Sequence, residues 1–222
     1  ADVILHYGKS HDQAAELVQA AGPERSLAIS ADLAEPDEVT RLWDAALAWK
    51  GRIDVLVNNA AVYEHADVDW ELDAWRASWA RTLQINLQAP GDLCRAAIHH
   101  YRAQGGGIIV NVASRGAFRG ESERYVHYSA SKGALVSLTR SIARSFAKDG
   151  VLAYTVSPGW TATDMATQGA SPEVLAAAKI EIPLGEITPP EDVAEVITFL
   201  SSGRARHATG NTIDVCGGSY MR

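Results

Sequence analysis

The sequence predicts an α/β fold in which helices cover both faces of a doubly wound parallel sheet, giving three layers in a single domain over residues 1–222. Short apolar segments alternate with segments whose apolar residues recur at helical spacing. The apolar segments are nearly continuous, as in strands that are buried on both faces. A chain of 222 residues is long enough for one domain with a substantial core.

Local signals mark the ends of the predicted elements. Gly22 and Pro23 end the first helix, and Gly51 ends the second, whose apolar face begins at Val39. A glycine triplet at 105–107 precedes the fourth strand, and the stretch 160–189 is irregular apart from one short helix. The predicted strands are Val3–Tyr7, 27–30, Val55–Asn58, 108–114, 151–157 and Thr212–Val215. The predicted helices are His11–Ala21, Pro36–Lys50, 73–104 with a bend at Pro90, 128–148, 172–179 and 191–200.

Charge and cysteine content restrict the partners and the compartment. The net charge of −7 disfavours nucleic acid and anionic membrane surfaces as partners. No apolar run reaches the length of a membrane span. The two cysteines, Cys94 and Cys216, are far apart in sequence and suit a reducing compartment, which predicts a cytoplasmic protein. His99 and His100 are adjacent on a helix and point apart, so we expect no metal site.

Tyr128 and Lys132 carry the first chemical signal. They are four residues apart at the start of a predicted helix, so their side chains share one face. A neighbouring cation stabilises phenolate and lowers a tyrosine pKa from its usual value of about 10, as acid/base catalysis near neutrality requires. Taken alone, the pair favours the ordinary interpretation of a solvated lysine beside a packed tyrosine.

Two polar residues add to this signal. Ser114 ends the predicted strand 108–114, at the sheet edge where open α/β folds bind ligands. A serine there could donate to a substrate oxygen, although a turn role is the more common one. Asn86 is polar within an apolar helical stretch, so it either faces solvent or belongs to a specific hydrogen-bond network.

In order and separation, Asn86, Ser114, Tyr128 and Lys132 resemble the catalytic tetrad of the short-chain dehydrogenases/reductases. Residues 54–61 are similar to the family's strand ending in Asn-Asn-Ala-Gly, and residues 157–165 to its Pro-Gly-x-x-x-Thr loop. The resemblance extends over essentially the whole chain. It implies a Rossmann-like fold and hydride transfer between NADP(H) or NAD(H) and a carbonyl or secondary alcohol substrate, with Tyr128 as general acid/base. Ser114 would hydrogen-bond the oxyanion, and Asn86 would hold a water that links Lys132 to solvent.

The resemblance also implies the cofactor contacts, and the turn after the first strand bears on the choice of cofactor. NAD-preferring dinucleotide folds place an acid at the end of the second strand of the unit. The corresponding position here is near Tyr7, where Lys9 and Ser10 could instead hold a 2′-phosphate, so NADP(H) is favoured over NAD(H). The expected cofactor-binding residues are Lys9, Ser10, Asp32, Leu33, Asn58, Ala60, Ala61, Tyr128, Lys132, Pro158, Gly159, Thr161 and Thr163.

The sequence departs from the family pattern in two places. Ala61 replaces the glycine of Asn-Asn-Ala-Gly, which adds a methyl group and is tolerable unless the backbone needs a positive φ. The chain also opens on a segment similar to the family's second strand, Val3–Tyr7. We therefore expect about thirty further residues before Ala1, with a strand and a glycine-rich turn that holds the pyrophosphate.

Three further interpretations remain for this sequence. A catalytically inactive dinucleotide-sensing or scaffold protein is the alternative to an enzyme, although such a protein should lack part of the tetrad. In the segment 115–124, arginines could bind an anionic substrate, but the interleaved Glu121 and Glu123 favour a solvated loop with internally paired charges. Apolar residues on more than one face of the helix after Tyr128, together with the family's habit, predict a homotetramer or a homodimer.

Overall fold

Parallel strands alternate with helices along the chain. The computed structural model describes residues 1–167 and 171–222, so part of the predicted irregular stretch 160–189 lies outside the described residues. The strands are β1 (Val3–Tyr7), β2 (Ser26–Ser30), β3 (Val55–Asn58), β4 (Gly107–Val112), β5 (Val151–Pro158) and β6 (Thr212–Val215). The α-helices are α1 (His11–Ala21), α2 (Pro36–Lys50), α3 (Leu72–Leu83), α4 (Ala89–Gln104), α5 (Gly116–Arg119), α6 (Val126–Phe146), α7 (Asp164–Thr167), α8 (Pro172–Glu181) and α9 (Pro190–Ser201).

The strands form two hydrogen-bonded groups. In the first, β1 pairs in parallel with β2, and in the second the order is β3-β4-β5-β6, also parallel throughout. Within residues 1–167 and 171–222, no strand pairs with the second edge of β1 or of β3. The expectation of further residues before Ala1 stays a prediction.

Side chains on opposite faces of the central strands enter two separate cores. Ile109 and Ala153 pack with residues of α2, α4 and α6, including Trp43. Their neighbours Val110 and Tyr154 point to the other face and pack with α9. Because successive side chains of a strand alternate between faces, one apolar run supplies both cores. The predicted three-layer α/β fold in a single domain is confirmed.

The predicted long helix 73–104 is interrupted, but not where the sequence suggested. A π-helical turn at Gln84–Gln88 separates α3 from α4, whereas Pro90 lies in the first turn of α4, where proline fits without distortion. The π turn contains Asn86, whose side chain bonds to the backbone of Val62 instead of facing solvent. An inserted π turn commonly redirects a functional side chain.

Candidate active site

A cavity of about 790 Å³ opens at the carboxyl ends of β3, β4 and β5. This is the edge at which parallel α/β sheets bind ligands. Residues from the helices α6, α8 and α9 complete the walls. The lining includes Asn59, Ala61, Tyr63, Val112, Ser114, Arg115, Arg119, Glu121, Tyr128, Lys132, Pro158, Gly159, Thr161, Thr163 and Glu181.

Tyr128 and Lys132 lie together on α6 and face the cavity wall, as their spacing predicted. They are 8% and 2% exposed, respectively, and the Lys132 Nζ is 5.9 Å from the centre of the Tyr128 ring. The Lys132 Nζ also donates to the Val112 carbonyl oxygen over 2.8 Å. This bond anchors the lysine to the end of β4, so α6 and β4 jointly position the pair.

The pKa values of the pair differ from the expectation for a cation beside a phenol. Burial raises the pKa of Tyr128 to about 12, against an opposing hydrogen bond from the Ser114 side chain. Burial also lowers the pKa of Lys132 to about 8. Both shifts have one cause, since removal from water disfavours the charged form of each group. The expectation that Lys132 brings the Tyr128 pKa toward neutrality is therefore not met by the protein's own side chains.

Ser114 follows the end of β4 and lines the same cavity. Its Oγ accepts a hydrogen bond of 3.1 Å from the backbone N–H of Gly116, at the start of α5. A serine oxygen that accepts in this way keeps its own proton available for donation. Ser114 can therefore donate either to Tyr128 or to an oxygen of a bound molecule.

Asn86 is the tetrad residue that does not line the cavity. It is 1% exposed, its Oδ1 accepts from the Val62 N–H over 2.8 Å, and its Nδ2 donates to the Val62 carbonyl over 3.0 Å. The same Nδ2 lies 3.2 Å from the Ser131 hydroxyl oxygen, one residue before Lys132. Asn86 thus holds the segment after β3 against α6.

Tyr63 is a cavity residue that sequence reasoning missed. Its ring stacks on Tyr125 with a centroid separation of 4.0 Å and an interplanar angle of 2°, and it meets the Tyr128 ring edge-on at 4.7 Å. Burial raises the Tyr63 pKa, and the nearby Glu121 carboxylate raises it further. No spacing motif joins Tyr63 to Tyr128, so only the folded chain shows the contact.

The arginines of the segment 115–124 are paired, but with partners outside that segment. Arg115 and Arg119 both form ion pairs with Glu181 at the end of α8, and Arg124 lies 3.5 Å from Asp67. The Arg115 Nη2 to Glu181 Oε2 distance is 3.2 Å. The prediction of ion pairing with Glu121 and Glu123 is therefore wrong in its partners, because Glu181, more than sixty residues away in sequence, folds back over the segment.

The structure brings about half of the expected cofactor contacts to the cavity. Ala61, Tyr128, Lys132, Pro158, Gly159, Thr161 and Thr163 line it. Lys9 and Ser10 lie exposed in the turn between β1 and α1, and the Asp32 carboxylate accepts from the Ala34 N–H. No described residue other than glycine has a positive φ, so the methyl group of Ala61 fits without backbone strain.

Three further expected contacts lie away from the cavity lining. Leu33 is buried and Ala60 is exposed. Asn58 points into the core, where its Nδ2 donates to the Asn111 Oδ1 over 2.8 Å. Its neighbour Asn59, the first residue after β3, lines the cavity instead.

The cavity fits a nicotinamide cofactor in its position and in its donor set. It lies along the carboxyl edge of three parallel strands, where dinucleotides bind in this fold class. Hydroxyl donors at Ser114, Tyr128 and Thr161, the amine of Lys132 and the amide of Asn59 face one space. Sugar hydroxyls and a carboxamide require such donors and acceptors.

Comparisons with known proteins point in the same direction. A family model described as enoyl-(acyl carrier protein) reductase matches residues 1–220. Cis-4-hydroxycyclohexanecarboxylate dehydrogenase of Sinomonas cyclohexanicum is 35% identical over 216 residues, which cover 97% of this chain and 85% of that protein.

Two solved structures resemble this chain along its length. A gluconate 5-dehydrogenase from Burkholderia cenocepacia, in complex with NADP and tartrate, has a TM-score of 0.87 at 26% identity, covering 99% of this chain and 85% of that one. A blue fluorescent protein from a metagenomic library, in complex with NADPH, has a TM-score of 0.86 at 31% identity, covering 100% and 88%. Since the family match spans nearly every residue and the tyrosine, serine and lysine converge on one cavity, the chain belongs to the short-chain dehydrogenases/reductases and is an NAD(P)-dependent oxidoreductase.

Proposed function

We propose that Tyr128 is the general acid/base of hydride transfer between the nicotinamide cofactor and a carbonyl or secondary alcohol carbon. The observation that carries this proposal is the convergence of Tyr128, Ser114 and Lys132 on one wall of the cavity. The bound cofactor supplies or accepts the hydride. In the reducing direction, the Tyr128 hydroxyl gives its proton to the substrate oxygen as that oxygen gains negative charge.

Ser114 stabilises the same oxygen in this mechanism. Its Oγ already accepts from the Gly116 N–H, so its proton can point to the developing oxyanion. A fixed donor at the position where charge develops stabilises the transition state more than the ground state. Asn86 acts at a distance, because its bonds to Val62 and Ser131 hold α6 against the segment after β3.

Lys132 is proposed to hold the nicotinamide ribose. An ammonium has three donors, and the described residues give Lys132 one hydrogen bond, to Val112. The remaining donors can serve ribose hydroxyls at the cavity wall. A pKa of about 8 leaves Lys132 largely charged at neutral pH.

NADP(H) is the proposed cofactor in preference to NAD(H). Lys9 and Ser10 are exposed in the turn after β1, and the first acid beyond β1 is Asp12, in the first turn of α1. A lysine and a hydroxyl there suit a 2′-phosphate, whereas an acid would repel it. The two structural relatives described above were solved with NADP and NADPH, which supports the same choice.

We also propose a cytoplasmic homotetramer, with a homodimer as the alternative. Leu135, Val136 and Ile142 on α6 are buried within one chain, so they no longer indicate an interface. Support comes instead from exposed apolar side chains near the N-terminal ends of α3 and α6, namely Leu72 and Val126. Both cysteines are free, as suits a reducing compartment. No helix within residues 1–167 and 171–222 is long and apolar enough to cross a membrane.

The proposed chemistry is tested by a turnover assay. NADPH consumption is measured with a panel of ketones, oxo acids and keto sugars, and cofactor binding is measured separately by calorimetry. We expect turnover of at least one member of the panel by a protein that binds NADPH. A protein that binds NADPH tightly yet reduces no ketone of a broad panel would contradict the proposal and favour the inactive dinucleotide-sensing alternative.

A further inference from the structure

The wall of the cavity next to Ser114 carries a buried guanidinium group. Arg115 is 3% exposed, and its backbone N–H donates to the Pro158 carbonyl over 2.9 Å. A Cβ placed on Gly159 would lie 3.5 Å from the Arg115 Cδ, so the arginine stem runs beside this loop. Arg115 therefore lies between Ser114 and the loop Pro158–Gly159, both of which face the cavity.

The hydrogen-bonding capacity of this guanidinium is not filled. Its Nη2 pairs with Glu181, whereas its Nη1 is buried and has no hydrogen-bond partner in the described part of the chain. Arginine remains charged under all ordinary conditions, and a buried cationic donor without an acceptor is unfavourable. The site therefore has an unmet requirement for a hydrogen-bond acceptor at Nη1.

Within the described residues, the acidic partner of Arg115 is Glu181, which is shared with Arg119 and is the more exposed member of the pair. Glu181 also bonds to Arg119, and its side chain is 37% exposed, compared with 4% for Arg115. Burial raises the pKa of the Glu181 carboxyl, but the bond to Arg119 and the charges of Arg115 and Arg119 outweigh it, so the pKa lies below its usual value. Glu181 is thus a carboxylate held by two guanidinium groups at the cavity wall, and a substrate carboxylate could replace it.

The charge balance of the lining favours an anion. Arg115, Arg119 and Lys132 are basic, and Glu121 and Glu181 are acidic. Burial raises the Glu121 pKa, in opposition to the charges of Arg119 and Arg115. With both acids ionised the lining keeps one positive charge in excess, and protonation of Glu121 increases that excess.

We propose that the substrate of this oxidoreductase carries a carboxylate that binds Arg115, so that the enzyme acts on hydroxy acids and oxo acids. This rests on the proposed function, since the reacting oxygen is placed at Ser114 and Tyr128. Ser114 and Arg115 both line the cavity, so one bound molecule can place its reacting oxygen at Ser114 and its carboxylate at Arg115. The planar fork of arginine matches a carboxylate with two parallel hydrogen bonds.

The test measures binding apart from turnover. The Tyr128→Phe protein in complex with NADPH is titrated by calorimetry with 4-oxopentanoate and 3-oxocyclohexanecarboxylate, each beside its methyl ester. We expect at least one acid to bind about 10- to 100-fold more tightly than its ester, as loss of a hydrogen bond to a charged group implies. The proposal is wrong if neither acid binds more tightly than its ester, including the case in which neither binds.

Three variants in the same background separate recognition from a structural role. Arg115→Gln should abolish the preference for acid over ester, and Arg124→Gln, the matched control at an arginine that pairs with Asp67 and does not line the cavity, should keep it. Glu181→Gln should strengthen acid binding, because the competing carboxylate is removed. If Arg115→Gln weakened the binding of acid and ester equally, and Glu181→Gln also weakened acid binding, the ion pair of Arg115 with Glu181 would serve to position α8 and would not recognise the substrate.

The cofactor is the remaining competitor for Arg115. The NADPH dissociation constant of Arg115→Gln should equal that of the parent, and a loss of NADPH affinity with an unchanged acid preference would reject the proposal. Turnover by the wild-type enzyme reports on the proposed function separately. An enzyme that reduces esters and simple ketones without acid preference keeps that function and rejects carboxylate recognition.

Discussion

Lys132 on α6 donates from Nζ to the carbonyl oxygen of Val112 at the end of β4, over 2.8 Å. The bond ties the helix that carries Tyr128 to the strand that leads to Ser114. The buried amine of Lys132 therefore holds Tyr128, the proposed general acid/base, close to Ser114, the proposed oxyanion donor. Burial of that amine has measurable consequences for stability and for catalysis.

The stability of the protein should depend on the protonation of Lys132. Burial lowers the pKa of Lys132 from 10.5, its ordinary value, to about 8 in the folded protein. Between these two pH values the unfolded chain therefore binds more protons than the folded one. Stability from this group therefore rises with pH across that window and is lowest below about pH 8. From about pH 8 to about pH 10 the gain should be about 2 kcal/mol, and it should be absent in Lys132→Met. Urea unfolding at both pH values measures this gain in the free energy of unfolding. An equal dependence of that free energy on pH in the unmodified protein and in Lys132→Met would contradict the pKa shift.

Removal of the Tyr128 hydroxyl should abolish most activity without unfolding the protein. Tyr128→Phe keeps the ring contact with Tyr63 and should lower kcat by about 10²–10⁴-fold, the usual loss of general acid/base catalysis. Tyr125→Phe is the matched control, since this tyrosine stacks on Tyr63 and has no role in proton transfer. Near-normal turnover in Tyr128→Phe, measured by NADPH consumption, would reject the mechanism.

Cofactor preference should respond to charge after β1. Lys9→Asp places an acid in the turn that we assign to the 2′-phosphate, so NADPH binding should weaken about tenfold or more while NADH binding changes little. Lys148→Asp, on the 3₁₀ turn after α6, is the control for the change in net charge. Fluorescence titration with both cofactors gives the ratio of the NADPH and NADH dissociation constants. Tighter binding of NADH by the unmodified protein would refute the preference.

The polar network between β3, β4 and α6 should contribute to stability. The Asn58 amide donates to Asn111, and the Asn111 amide donates to the Thr139 hydroxyl, each over 2.8 Å. Asn111→Ala removes both bonds, so the Asn58 amide keeps only its 3.4 Å contact with the Cys94 Sγ and the Thr139 hydroxyl keeps only its bond to the Leu135 carbonyl. The substitution should lower the free energy of unfolding by about 1–3 kcal/mol. Asn211→Ala, at an exposed asparagine, should change it by less than about 0.5 kcal/mol. Equal denaturation midpoints for the two variants would show that the network contributes nothing measurable.

The oligomeric state is measured by light scattering at micromolar protein concentration. We expect a mass of four chains, or of two, and we expect Val126→Asp to shift it toward the monomer, because a charge in an apolar interface is unfavourable. Glu123→Asp, in the short turn before α6, is the conservative control. A monomeric mass for the unmodified protein would reject the proposal.

Much of the architecture follows from local pattern. The alternation of apolar runs and amphipathic helices placed all six strands close to their observed bounds, because burial on both faces demands apolar residues at every position. The helix bearing Tyr128 and Lys132 was predicted within two residues at each end. Their shared face follows from the geometry of one helix turn, which needs no tertiary information.

The environment of these side chains was not predictable in the same way. Whether the phenol and the amine lie in water or in the core decides the sign of each pKa shift, and α6 packs both out of water. Asn58 lies in the core and Asn59 lines the cavity. Which of the two enters the core depends on how β3 packs against α4. The sequence left open whether Asn86 faces solvent or belongs to a hydrogen-bond network, and its partners Val62 and Ser131 came only with the fold.

The sequence by itself determined the fold class, the family resemblance and the candidate reactive side chains, because these depend on residue type and short spacing. The tertiary structure alone decided which charges meet. Arg115 pairs with Glu181 across more than sixty residues, and Tyr63 packs against Tyr128 from the loop after β3. Contacts of this kind leave no periodic trace in the chain, because each is set by where two elements end after the sheet and helices have packed.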